Sequence, residues 1–154
     1  MSVTAFRLTK TKHVSTAFDG EGARLYGGRW NSIGTRMVYV AGSRSLATLE
    51  ILVHVEDIST IEGQYSIIQV SFANEHVKRI DESDLPDGWS SPEPLAFTQM
   101  FGDEWIKKNE SVILSVPSAV TNEERNFLIN PAHPEFSALS IGTAVPYRFD
   151  SRLV

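Results

Sequence analysis

The sequence predicts an α+β domain, and three observations carry that expectation. Short β-branched, apolar runs recur along the chain and alternate or run continuously as strands do. Two segments, 45–55 and 95–108, instead space their apolar residues as helices do. Strands and helices are interleaved without an internal repeat, which favours central short-stranded sheets with flanking helices. At 154 residues the chain is sized for one domain, 1–154, with a core that needs no disulfide or metal staple.

The elements follow in order. Residues 4–9 can start a strand, with Phe6 and Leu8 on one face. Five of the ten glycines then fall in residues 20–34, a density expected to break regular structure and let backbone approach a ligand closely. Residues 36–41 read as a short buried strand, and Ser43 or Ser45 as the cap of the next helix. In that helix Leu46, Leu49, Leu52 and Val53 form an expected apolar arc, with Glu50 about 40° beyond Leu46 on its margin. Residues 64–72 read as a strand, as do 77–80 more briefly. Residues 81–94, with three prolines, are expected as a loop: a mobile cover rather than a domain linker. Residues 95–108 read as a helix with Phe97, Phe101 and Trp105 at four-residue steps. A strand at 111–116 should end at Pro117, a helical turn is expected within 122–130, and 138–149 supplies at most two strands.

Composition excludes several functions. With no cysteine, the chain has no disulfide, thiol nucleophile, iron–sulfur cluster or Cys-rich zinc site. A net charge of −5 disfavours direct nucleic-acid binding, which needs clustered Lys and Arg. No apolar run approaches the roughly 20 residues of a membrane span, and the N-terminus does not read as a secretory signal. A cytoplasmic protein is expected. The glycines spell neither a phosphate loop nor a dinucleotide fingerprint. His13, His54, His76 and His133 have no paired metal-ligand spacing, so no metal is expected.

What remains is a constellation: Gly27-Gly28-Arg29-Trp30-Asn31, then Tyr39, Glu50 and Pro117-Ser118-Ala119. Arg29 after two glycines suits a phosphate or diphosphate, against the plainer role of pairing a structural carboxylate. Tyr39 offers a stacking face for a flat heteroaromatic ring, or is simply core. Glu50 could stabilise positive charge developing on a sugar, or be merely solvated. Ser118 is most simply a turn or cap residue.

Together these residues resemble one family. GARLYGGRWNSIG, VYVA, the LATLEILVH helix and VPSAV followed by ERNFLINPAHPEF are similar to the RES domain, over nearly the whole chain. The resemblance implies the fold of an ADP-ribosyltransferase and the toxin half of a bacterial toxin–antitoxin pair that destroys cellular NAD+. It also implies a cognate Xre-like helix-turn-helix antitoxin, which would carry any DNA binding; a homodimer within that complex is compatible with it. By motif, the family's Arg falls on Arg29, its Glu on Glu50 and its Ser on Ser118, with Ser115 the weaker candidate. Tyr39 takes the family's aromatic position and Asn126 lies in its second block.

On this reading NAD+ is the substrate, no cofactor is needed, and the bond between nicotinamide and ribose is cut. Arg29 and the amides near Gly28 would hold the diphosphate, with Asn31 also binding substrate. Tyr39 would close over the nicotinamide or its ribose, and Glu50 would stabilise the oxocarbenium-like transition state. Ser118 and Asn126 would orient the ribose or phosphates. Water or inorganic phosphate are both open as acceptor. An ADP-ribosyltransferase acting on a macromolecule is the main alternative. Others are a ribonuclease using Arg29 and His133, and a non-catalytic module. Trp89 and Trp105 are candidates for a partner surface, with core the simpler fate of Trp105.

Overall fold

Five consecutive residues of β5 (Ile113–Pro117) are buried on both faces, so this strand lies inside a sheet rather than at its edge. The computed structural model describes residues 1–93 and 96–153. Its other strands are β1 (Ser2–Lys10), β2 (Val38–Ala41), β3 (Tyr65–Ala73), β4 (Val77–Arg79), β6 (Arg125–Ile129), β7 (Ser140–Ile141) and β8 (Val145–Tyr147). The helices are α1 (Glu21–Tyr26), α2 (Arg44–Leu52) and α3 (Ala96–Lys108). The architecture is α+β.

The strands form one sheet ordered β4-β5-β6-β2-β1-β3-β7, with β8 also paired to β3. Among the described residues only β4 and β5 run parallel, and α3 lies in the crossover that parallel pairing requires. β1 and β3 pair over their full length, from Ser2 opposite Ala73 to Lys10 opposite Tyr65. β1 and β2 meet at a single register position, Phe6 opposite Ala41. Beyond it, the Arg7 guanidinium donates to the carbonyl of Tyr39 (3.1 Å) and of Ala17 (3.0 Å), a side-chain bridge between the two strands.

Alternation sorts β2, β5 and β6 into two faces. Val38, Val40, Ile113, Phe127 and Ile129 join one core with Ala5 and Val70. Leu114, Val116 and Leu128 face the other way, into a core with Trp30, Met37, Trp89 and Trp105. α2 covers a third cluster that includes Leu8, Ala41, Leu46 and Phe149. Each buried aliphatic side chain contributes on the order of 1.5–3 kcal/mol relative to exposure.

Several expectations change. The glycine-rich segment holds a helix after all, because Gly20 and Gly27, which take positive φ, flank it, while Gly22 inside it does not. Residues 122–130 hold β6 rather than a helical turn; the turn sits earlier, where the Glu124 amide reaches Thr121 and Ser118 meets Glu124. Burial on both faces made Phe127-Leu128-Ile129 a continuous apolar run, which carries no period to read. The stripe on α3 rotates by about 40° per four residues. Accordingly Phe97 is exposed, Phe101 half-buried and Trp105 buried. The expected start of α3 at Leu95 lies outside the described residues. Trp89 and Trp105 are both buried, so neither offers a partner surface.

α2 departs most usefully. Ser43 caps it, accepting the Leu46 amide at 3.0 Å. Its inward side is not the leucine arc: Leu46, Ala47 and Thr48 are buried, whereas Leu49 and Val53 are exposed. The buried sector is centred about 150° from the expected one. Glu50, about 40° from Leu46 and 60° from Ala47, therefore lies within the inward sector and not on its margin.

Candidate active site

The glycine-rich loop is built for close approach. A Cβ on Gly28 would stand 2.8 Å from the Tyr39 hydroxyl, and one on Gly102 of α3 would overlap the Trp30 carbonyl. The Tyr39 hydroxyl accepts the Trp30 amide at 3.0 Å and donates to Asn31 Oδ1 at 2.7 Å. Burial pushes the Tyr39 phenol far above its ordinary pKa, so it stays protonated and able to donate. From α3, Gln99 donates to the Gly28 carbonyl at 2.9 Å and Asp103 accepts the Ser32 amide at 3.1 Å.

Two expected ligand groups are consumed by this scaffold. Asn31 is wholly buried, and its side-chain amide donates to the carbonyls of Ala23, Ser32 and Thr35. It fastens the loop and has no surface to offer a substrate. The Gly28 amide donates to the Asn31 carbonyl at 3.0 Å and so cannot cradle a phosphate without breaking the turn. Gly28 instead makes room for Tyr39.

Glu50, Ser118 and Asn126 converge. Ser118 donates to Glu50 Oε2 at 3.1 Å, and the Asn126 amide donates to the same oxygen at 2.5 Å. Both bonds end on Oε2, leaving Oε1 without a hydrogen bond among the described residues. Ser118 is itself buried, and its Oγ also accepts the amides of Val120 and Thr121 at 3.1 Å each. It is a turn residue and a carboxylate holder at once. Ser115 lies with Arg125 on the opposite sheet face, where its Oγ accepts Arg125 Nε at 3.0 Å.

Arg29 is half-buried and donates to the carbonyls of Trp89 (2.8 Å) and Ser91 (2.7 Å). It forms no ion pair among the described residues, although Glu50 and Tyr39 act on its charge through space. Desolvation lowers its pKa and the Glu50 carboxylate opposes that shift. His133 is elsewhere: its ring accepts the Glu135 amide at 3.0 Å, capping a single turn. Two surface grooves, of about 490 and 340 Å³, also lie away from Arg29 and Glu50.

The RES domain family model matches residues 4–150. The chain belongs to the RES domain family. RES relatives include a protein named Toxin Res from Photorhabdus laumondii, 39% identical over 150 residues, which are 97% of this chain and 96% of that one. Another, named Prs ADP-ribosylating toxin, from a Sphingobium species, is 33% identical over 138 residues, covering 88% of this chain and 85% of its own. The RES fold is also that of a chain in the crystal structure of the M. tuberculosis MbcT–MbcA toxin–antitoxin complex. That likeness has a TM-score of 0.77 at 18% identity, over 96% of this chain and 85% of the other.

Sequence reasoning missed Arg7, Gln99 and Asp103, and took Trp89 for a partner-surface candidate where it is core. Arg7 carried one usable signal, a charge on the strand face that otherwise buries Ala5. The helix residues Gln99 and Asp103 carried none, because their partners lie 71 positions away.

Proposed function

We propose that this RES protein is the toxin half of a toxin–antitoxin pair and destroys NAD+ by cleaving the bond between nicotinamide and its ribose. The observation that carries the reading is the Glu50 carboxylate, held by two neutral donors on one oxygen and, among the described residues, free on the other. Neutral donors fix the group without cancelling its charge, so it can stabilise a cation developing at the anomeric carbon. In the reaction the bonding pair leaves with nicotinamide, whose ring nitrogen goes from cationic to neutral. No strong general acid is required. The free Oε1 would accept a ribose hydroxyl, and Arg29 would bind the diphosphate. Tyr39 would present its ring, since its hydroxyl is already bound on both sides.

The acceptor is water or inorganic phosphate, giving ADP-ribose or ADP-ribose 1″-phosphate. Phosphorus NMR of the protein with NAD+, with and without inorganic phosphate, tests both. NAD+ loss that Glu50→Gln abolishes supports the reading, and the product identifies the acceptor. A partner antitoxin of the Xre-like helix-turn-helix kind would silence the enzyme. The RES relative named Prs ADP-ribosylating toxin favours one alternative, transfer of the same ADP-ribosyl group to a macromolecule. NAD+ stable alone but consumed with label appearing on protein in an extract would establish that acceptor.

A further inference from the structure

The turn at 86–91 anchors Arg29. Its Trp89 and Ser91 carbonyls each take one N–H from a different terminal nitrogen of Arg29. A guanidinium has five N–H donors, and among the described residues these carbonyls engage two of them. The carbonyls are neutral dipoles, which hold the cation without discharging it.

We propose that this turn, keyed into the core by Trp89, is a positioning device that fixes the Arg29 guanidinium and aims it at the anionic part of the substrate. This deepens the NAD+ reading, on which its kinetic arm rests. The Trp89 ring is 4% exposed and packs 6.1 Å from Trp30, the chain neighbour of Arg29. One ring contact therefore couples the backbone that carries Arg29 to the backbone that anchors its far end. The turn is closed by the Trp89 amide on Pro86 (3.2 Å) and the Ser91 amide on Gly88 (3.1 Å). Gly88 itself sits at φ +81, with open space where a Cβ would go. Holding a long side chain in advance lowers the ordering cost that binding would otherwise carry. Trp89 and Ser91 act through Arg29; they are positioning residues.

The test uses the full chain, free of antitoxin, with inorganic pyrophosphate as probe by titration calorimetry and NAD+ turnover in parallel. Trp89→Ala removes the key. Gly88→Ala disturbs only the exposed turn, so it keeps the test open if Trp89→Ala fails to fold. Both should weaken pyrophosphate about tenfold and raise KM for NAD+ more than they lower kcat. Trp89→Phe, which keeps a packed ring, should restore most of the affinity. In an Arg29→Ala background neither change should weaken binding further, because its only route is gone. Unchanged affinity in folded Gly88→Ala and Trp89→Ala overturns the proposal, as does a further loss without Arg29. Arg29-dependent pyrophosphate binding by a protein that leaves NAD+ intact would instead sink the NAD+ reading while the positioning role stands.

Discussion

Ser118 and Glu50 are 68 positions apart, yet the serine hydroxyl donates directly to the carboxylate at 3.1 Å. The contact joins the end of β5 to the inward side of α2, and Asn126 of β6 completes it. Two strands and a helix thus fix one oxygen of one side chain.

Removing that hydroxyl should cost both stability and turnover. Ser118→Ala leaves the amides of Val120 and Thr121 without their side-chain acceptor and Glu50 held by Asn126 alone, a loss of about 1–3 kcal/mol. NAD+ consumption per folded molecule should fall about tenfold or more. Ser115→Ala should destabilise through Arg125 but spare turnover, since it lies on the other face. Urea unfolding and NAD+ consumption on both variants check this; equal loss of turnover would reject Ser118 as the functional serine.

Glu50→Gln separates charge from shape. Gln keeps an oxygen for Ser118 and Asn126, so stability should change by less than about 1 kcal/mol. Loss of the anion should lower kcat by about 10²–10³ with little change in substrate affinity. A variant with wild-type kcat would remove Glu50 from the mechanism.

Tyr39 predicts an alkaline weakness. Burial raises its folded pKa above the ordinary value of 10, so the folded state keeps a proton that the unfolded chain loses. The contribution is therefore complete below about pH 10 and is lost as pH rises beyond it. Tyr39 and Tyr65 are both held back by burial. Ultraviolet titration should show one fewer late phenol in Tyr39→Phe. That variant should also lose about 1–3 kcal/mol at neutral pH, because the Trp30 amide and Asn31 Oδ1 lose their partner.

Gly102 is a contact point between α3 and the arginine loop. Any Cβ there must displace the Trp30 carbonyl, so Gly102→Ala should destabilise by about 3 kcal/mol or more despite the better helix propensity of alanine. Thermal unfolding measures it. A stabilised variant would mean that α3 and the loop are not packed this closely.

The RES motifs made Arg29, Glu50, Ser118 and Asn126 legible as candidates, and elements with clear period or caps were legible too. The Ser43 or Ser45 cap announced the start of α2, and the alternating run at 64–72 announced β3. Where apolar residues ran unbroken, as in β6, local pattern had no face to report. Asn31 and Gly28 read as ligand groups because sequence shows which polar groups exist, not which are already bonded.

By itself the sequence determined the α+β class, the RES membership and the residue types available for chemistry, because those follow from composition, spacing and motif. The tertiary structure decided the rest. It turned α2 so that Leu49 faces out and Glu50 faces in, set Ser118 and Ser115 on opposite sheet faces, and tied Arg29 to carbonyls 60 and 62 positions away. The physical reason is that a side chain's bonding partners and a helix's rotation are fixed by packing between distant segments. No local pattern encodes that packing.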